Sequence, residues 1–196
     1  MPPDSPDLSK PKSSADTKKA MLDAARARFL QESYENVGLR DIAGAVGVDV
    51  ALVSRYFGSK EELFRAVLGV GEDKEILPPG LPTAEIPAYL AKLFLQQDID
   101  GNEHVERLLI ILRSASSPAA SQIVRDALRA DVLHPLAEKL GGSGAKLRAS
   151  TSMAVWMGMT IMRTVMSVEP LCVQNRDLER RLQRLFEAAL TETAPH

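Results

Sequence analysis

The sequence predicts an all-α protein with about nine helices. Apolar residues recur three and four positions apart along most of the 196-residue chain, which is the spacing of helices with one buried face. No segment shows the sustained alternation of apolar and polar residues that is typical of a strand, and no internal repeat is present. Glycines, prolines and capping residues divide the apolar pattern into separate helices.

The composition is that of a globular protein that can bury a core, with 45% hydrophobic and 26% charged residues. No apolar run approaches the ~20 residues of a membrane span, and the start of the chain lacks the apolar core of a secretory signal. The single cysteine, Cys172, cannot form an internal disulfide, which fits a reducing compartment. These features predict a cytoplasmic protein with no membrane partner.

The first helix is predicted from Asp16 onward, with Ser14 or Asp16 as its N-cap. Its inward face consists of three residues at helical spacing, Leu22, Ala25 and Phe29. This helix is the longest of the N-terminal group.

Two short helices follow, and the residues between them favour a tight turn. Gly47 ends the second helix because glycine adopts the left-handed conformation most easily. Asp49 then caps the third helix, in which Val53 and Phe57 face inward. The apolar face of the second helix consists of Leu39, Ile42, Ala43 and Val46. Two short helices packed on a longer one form a helix-turn-helix, whose second helix can enter a DNA major groove.

Ser59 and Glu62 form a capping-box pattern that starts a fourth helix. Prolines and a glycine in ILPPGLP, residues 76–82, then interrupt the helical pattern. We therefore predict a flexible tail (1–14), a three-helix DNA-binding domain (15–74, with the helix-turn-helix at about 38–57) and a helical body (75–196).

A resemblance to the N-terminal domain of the TetR family covers the segment MLDAARARFLQESYENVGLRDIAGAVGVDVALVSRYFGSKEELFRAVL. The matching positions are Ala24, Ala25, Phe29, Tyr34, Ile42, Ala43, Gly47, Val48, Phe57, Ser59, Lys60 and Glu61. Three positions depart from the family pattern: Gly38 replaces a threonine, Ser54 a tyrosine and Ser33 a glycine. Because Gly38 lacks a hydroxyl, a backbone N–H at the helix N-terminus must make that phosphate contact. Tyr56 is expected to take over the contact of the missing tyrosine.

The outward residues of the third helix are the predicted reading surface for double-stranded operator DNA. They are Val50, Ala51, Leu52, Ser54, Arg55 and Tyr56. Only Arg55 can make a bidentate contact to guanine, and the alternative is that it pairs with a phosphate or a neighbouring acid. For Lys60, and for Arg40 on the second helix, the alternatives are a phosphate contact and a solvated position. The net charge of −2 does not indicate DNA binding, so these cations carry the prediction.

The resemblance implies that the body binds an effector and forms a homodimer. The segment 147–167 carries five of the seven methionines on two apolar faces, so both faces must be covered. Trp156 and Met157 either line a pocket for a small apolar effector or belong to an ordinary core. His104, Arg113 and His134 are candidate polar anchors, unless they are simply ion-paired or exposed. The predicted dimer face on the last helix consists of Leu178, Leu182, Leu185, Phe186 and Ala189.

No catalytic or cofactor motif accompanies this pattern. A nucleotide-binding glycine loop, HExxH and G-x-S-x-G are absent, and the three histidines lack metal-ligand spacing. The sequence therefore predicts neither an enzyme nor a metal or cofactor site. It predicts a TetR-like repressor that binds a palindromic operator as a homodimer and is released by a small apolar effector. The alternative is a helical dimeric ligand-binding or interaction protein that has lost specific operator binding.

Overall fold

The computed structural model describes residues 13–70, 77–96, 103–173 and 175–192, except for the side chains of residues 103 and 104. Every regular element in these ranges is helical, which confirms the predicted all-α class. The α-helices are α1 (Ser14–Gln31), α2 (Leu39–Val46), α3 (Val50–Phe57), α4 (Lys60–Val67), α5 (Ile86–Gln96), α6 (Glu103–Ser114), α7 (Pro118–Leu128), α8 (His134–Leu140), α9 (Ala145–Thr160), α10 (Glu169–Cys172) and α11 (Arg176–Leu190). Within the described ranges, no helix has both the length and the apolar character needed to span a membrane.

The start of α1 differs slightly from the prediction. The N-cap is Ser13 rather than Ser14 or Asp16, and its hydroxyl accepts a hydrogen bond of 3.1 Å from the N–H of Asp16. Asp16 is the third helical residue, and its carboxylate accepts from the N–H of Ser13 in return. Leu22 is half-buried, whereas Met21 is fully buried beside Ala25 and Phe29. Residues 1–12 of the predicted tail lie outside the described residues.

The predicted helix starts and stops between residues 38 and 60 are confirmed. Gly47 ends α2 in the left-handed conformation, with φ 74° and ψ 37°. The carboxylate of Asp49 caps α3 by accepting from the N–H of Ala51 at 2.7 Å. The hydroxyl of Ser59 caps α4 by accepting from the N–H of Glu62 at 3.2 Å. Local capping therefore sets where α2 ends and where α3 and α4 begin.

The first hydrophobic core joins α1–α4 to part of the body. Phe29, Tyr34 and Phe64 form an aromatic cluster at its centre, with ring centroids 4.9–6.0 Å apart. Ile110 of α6 and Ile123 of α7 are buried in the same core. The packing therefore crosses the boundary predicted near residue 75, although that boundary remains a prediction because residues 71–76 lie outside the described ranges.

The second core lies within the body, between α5, α8, α9 and α11. Its fully or nearly fully buried members include Ile86, Leu90, Phe94, Leu136, Ala149, Leu178, Leu182, Phe186 and Leu190. Trp156 packs between Phe94 and Phe186, with both ring centroids 6.0 Å from its own. The apolar face of α11 thus packs against α5 and α9 of the same chain.

This packing contradicts most of the predicted dimer face. Leu182 and Phe186 have no exposed surface, and Leu178 is 6% exposed, so these side chains cannot contact a second copy. Leu185 is 46% exposed and Ala189 is half-buried, and both remain candidates. The prediction was wrong because an amphipathic pattern shows which face is buried but does not show what buries it.

Candidate nucleic-acid interface

The exposed face of α3 is narrower than the sequence predicts. Ala51, Ser54 and Arg55 are exposed, and their spacing places them on one side of the helix. The other predicted DNA-facing residues, Val50, Leu52 and Tyr56, are half-buried and pack against the first core. A methyl group, a hydroxyl and a guanidinium therefore form the part of α3 that is most accessible to a ligand.

Arg55 lies in the last turn of α3 with its side chain exposed. Within the described part of the chain, it forms neither an ion pair nor a hydrogen bond. The alternative in which a neighbouring acid pairs with Arg55 is therefore not the arrangement observed. Its guanidinium keeps its full set of donors, which match the two acceptors on the major-groove edge of guanine.

Tyr56 connects α3 to the beginning of α1. Its hydroxyl is hydrogen-bonded to the hydroxyl of Ser14 at 2.7 Å. One turn further along α1, the ammonium of Lys18 lies 5.8 Å from the ring centroid of Phe57. Lys18 thus joins the cations near α3, and the sequence did not reveal this because 39 positions separate Lys18 from Phe57. Only the packing of α1 against the helix-turn-helix shows it.

Gly38 is the N-cap of α2, but its own N–H is already occupied. That N–H donates to the carboxylate of Asp41 at 3.2 Å. A side chain at position 38 would bring its Cβ within 2.7 Å of the same carboxylate. The donors left at this end of α2 for the predicted backbone contact to phosphate are the N–H groups of Leu39 and the exposed Arg40, which have no acceptor within the helix.

Lys60 begins α4 and is held in place rather than freely solvated. Its ammonium lies 4.5 Å from the ring centroid of Tyr34 and donates to the backbone carbonyl of Glu35 at 3.4 Å. Burial, together with the negative charges of Glu61 and Glu35, raises the pKa of Tyr34 to about 12, so this ring stays neutral at physiological pH. An ammonium has three donors, so Lys60 retains donors for a phosphate.

The neighbouring Glu61 stays ionised over a wide pH range. A backbone hydrogen bond at the start of α4 and the hydroxyl of Ser59 hold the pKa of this carboxyl below its usual range. A negative charge in the first turn of a helix is stabilised by the helix dipole. The surface around Lys60 therefore contains both signs of charge.

The predicted effector residues do not form one site. Trp156 belongs to the second core and Met157 is half-buried on α9. Arg113 is exposed and donates to the backbone carbonyl of Gln31 at 3.1 Å, which places it beside α1. His134 is exposed at the start of α8, and the side chain of His104 lies outside the described residues. The described ranges contain no group of His, Cys, Asp and Glu side chains suited to a metal ion.

Comparison with known families accounts for this arrangement of helices. The family model described as "Bacterial regulatory proteins, tetR family" matches residues 21–67, and the one described as "Tetracyclin repressor-like, C-terminal domain" matches residues 84–190. The chain belongs to the TetR family. Since the first of these matches contains the helix-turn-helix and the second contains most of the body, this TetR-family protein is a transcriptional regulator with a DNA-binding and a ligand-binding part.

Solved structures of TetR-family regulators share its fold. A TetR-family regulator from Streptomyces coelicolor is 30% identical, and the alignment covers 93% of this chain and 98% of that one with a TM-score of 0.50. NalD, the secondary repressor of the MexAB-OprM multidrug efflux pump in Pseudomonas aeruginosa, is 18% identical with a TM-score of 0.66, covering 89% and 97%. SmeT, solved as a complex with triclosan, is 20% identical with a TM-score of 0.62, covering 92% and 99%. No curated protein sequence matches the chain.

Proposed function

We propose that this regulator is a repressor that binds a palindromic operator as a homodimer and is released when a small apolar effector binds the body. The observation that carries the proposal is the exposed face of α3, where Arg55 has no partner within the described residues. A short helix that is capped at both ends holds this face rigidly. A rigid presentation matters because base contacts require side chains at fixed positions in the groove.

The three exposed residues of α3 offer different contacts to bases. Arg55 contacts O6 and N7 of a guanine, and the methyl of Ala51 contacts a thymine methyl. The hydroxyl of Ser54 is short and serves as a donor or an acceptor. Val50 and Leu52 contribute only their exposed edges, because both side chains also pack on the first core.

Phosphate contacts position α3 in the groove. We assign them to Lys60, Arg40 and Tyr56 and to the first-turn N–H groups of α2. Lys18 is added to this group because its ammonium lies next to the end of α3. These groups belong to α1, α2 and α4 and to α3 itself, and we propose that they contact the DNA backbone on either side of the groove that α3 enters.

For the homodimer we propose an interface centred on an exposed stripe of α9 and its extension. The stripe consists of Leu147, Thr151, Ala154, Gly158 and Met162. A Cβ added at Gly158 would meet no atom of the described residues within 4 Å, so their packing does not account for a glycine there. Glycine within a helix costs roughly 0.5–1 kcal/mol relative to alanine, and it permits close approach of another backbone. Leu185 of α11 extends this apolar surface.

For the effector we propose the methionine-rich α9 as the adaptable wall of an apolar site, with Met157 at its edge. Trp156 contributes through the second core, where its ring already contacts Phe94 and Phe186. Methionine side chains adapt to apolar ligands of different shape. SmeT, which has the same fold, supports a ligand-binding body because it was solved with triclosan.

The test is a selection of genomic DNA fragments by the purified full-length protein in excess competitor DNA. We expect enrichment of fragments with a palindromic site. Arg55→Ala should abolish the preference, whereas Arg129→Ala, which removes an exposed arginine of the body, should retain it.

A second candidate function is an interaction protein without specific operator binding. The observation that favours it is the carboxylate of Asp41, which occupies the N–H of Gly38 and places a negative charge at the end of α2 that should face DNA. In the same selection, this candidate predicts no enriched sequence above competitor.

A further inference from the structure

Glu35 makes one hydrogen bond within the DNA-binding part of the chain and one to the body. It lies in the turn Tyr34–Asn36 between α1 and α2. Its backbone carbonyl accepts from the ammonium of Lys60 at 3.4 Å. Its carboxylate accepts from the hydroxyl of Ser117 at 2.5 Å, although 82 positions separate the two residues. A single residue therefore contacts both the first residue of α4 and the junction of α6 and α7.

Ser117 is a structural residue of the body. Its side chain is almost completely buried, and its hydroxyl oxygen caps α7 by accepting from the N–H of Ala120 at 3.2 Å. Its own N–H donates to the carbonyl of Ser114, the last residue of α6. A shift of α7 or of the end of α6 must therefore move the hydroxyl that Glu35 accepts from.

The turn around Glu35 is held by further contacts on both sides. Tyr34 packs between Phe29 and Phe64 in the first core. Arg113 of α6 donates to the carbonyl of Gln31 at the end of α1, a second contact between the same two regions. Both contacts are charge-assisted, since Ser117 donates to a carboxylate and Arg113 donates from a guanidinium, and such hydrogen bonds are stronger than those between neutral groups.

We propose that Glu35 and Ser117 are positioning residues for Lys60, so that the position of the α6–α7 junction sets how Lys60 meets a DNA phosphate. The inference rests on the phosphate contact of Lys60 in the proposed function. Neither Glu35 nor Ser117 needs to touch DNA. Their effect reaches the operator only through the ammonium that the Glu35 carbonyl orients.

Ser117→Asp separates this role from helix capping. Aspartate is a good N-cap, so α7 keeps its cap, but a second carboxylate now faces Glu35 and removes the donated hydrogen bond. We expect operator affinity to fall about 5-fold or more, together with a smaller salt dependence of binding. Ser117→Thr keeps both hydrogen bonds and should behave as wild type. Asn175→Ala removes the cap of α11, where Asn175 accepts from Leu178, and controls for a loss of stability in the body.

The decisive comparison repeats Ser117→Asp in a Lys60→Ala background. If Ser117 acts through Lys60, the second substitution causes no further loss of operator affinity. An equal loss in both backgrounds would overturn the proposal, because an added charge or a less stable body acts independently of Lys60. Glu35→Gln changes an exposed residue and should leave the protein folded. Its effect must also vanish in the Lys60→Ala background, and if it persists the proposal is wrong.

Failure of this inference and failure of the proposed function give different results. If wild-type protein selects an operator but Lys60→Ala binds it with unchanged affinity and salt dependence, this inference is overturned and the regulator function stands. If wild-type protein selects no operator, the proposed function itself has failed.

Discussion

Arg55 and Lys60 differ in their surroundings, and from this difference we propose different roles for them in DNA binding. Arg55 is exposed on α3 and forms no ion pair or hydrogen bond within the described residues, whereas Lys60 is held by the ring of Tyr34 and the carbonyl of Glu35. A free guanidinium that enters a DNA groove can read a base, whereas an ammonium held outside the groove can neutralise a phosphate of the DNA backbone. The division between base reading by Arg55 and phosphate positioning by Lys60 therefore stays a prediction, and these surroundings are consistent with it.

We predict that Arg55→Ala weakens binding to the selected operator by about 1–3 kcal/mol and relaxes the preference at one G·C pair in each half-site. Lys60→Ala should instead weaken binding to all DNA sequences similarly. It should also lower the slope of log affinity against log salt concentration by roughly one for each phosphate that is no longer neutralised. The measurement is a titration of single-base operator variants at several salt concentrations. If Arg55→Ala lowers the binding affinity equally for every operator variant, Arg55 contacts a phosphate, and base reading falls to Ser54 and Ala51.

At position 38 we predict that Gly38→Thr binds operator more tightly than Gly38→Val. Both side chains displace the Asp41 carboxylate, since the added Cβ comes within 2.7 Å of it. Only threonine supplies a hydroxyl for a phosphate, and a hydrogen bond to a charged group contributes about 1.5–3 kcal/mol. Operator affinity of the two nearly isosteric variants is the readout. Equal affinities would show that position 38 does not face the DNA backbone.

At the scale of single helices, local signals predicted the helix-turn-helix well and the last helix poorly. Gly47, Asp49 and Ser59 act on neighbouring N–H and carbonyl groups, so their roles can be seen in the sequence. The partner of an apolar face is a tertiary property, and Leu182 was therefore assigned to a dimer although α5 and α9 cover it. For the same reason, the contact of Ser117 with Glu35 leaves no sequence signal.

We predict different outcomes for two substitutions on α11. Leu182→Asp should prevent folding, because even truncation of a fully buried leucine to alanine costs about 2–5 kcal/mol and a buried charge costs more. Leu185→Asp changes a side chain that is 46% exposed, so the monomer should stay folded while dimerisation weakens. Circular dichroism and sedimentation distinguish the two results. If the Leu185→Asp protein is folded and dimerises as tightly as wild type, Leu185 is not part of the dimer interface.

At the scale of the whole molecule, the two cores suggest how a ligand in the body could influence DNA binding. The second core contains the proposed effector wall of α9, and the first core contains α6 and α7 together with the helix-turn-helix. The sequence predicted both halves but placed a boundary between them at residue 75. Ile110 and Ile123 of the body are buried in the same core as the DNA-binding helices, so the two predicted parts are in direct contact.

We predict that an effector found by thermal-shift screening lowers operator affinity by about 5–150-fold, equivalent to 1–3 kcal/mol of coupling. Operator DNA must then weaken effector binding by the same factor, because coupling between two binding sites is reciprocal. Calorimetric titration of effector with and without operator measures this. Effectors that bind the body but leave operator affinity unchanged would mean that the body serves only dimerisation.

The most direct test of operator recognition by a homodimer is a footprint of the purified full-length protein on a selected genomic fragment. A homodimer that presents two copies of α3 should protect two inverted half-sites, with centres about 34–36 Å apart or a multiple of that spacing. Protection should disappear with Arg55→Ala at the same protein concentration. A footprint without two-fold symmetry, or equal protection of unrelated DNA, would contradict sequence-specific binding by this dimer.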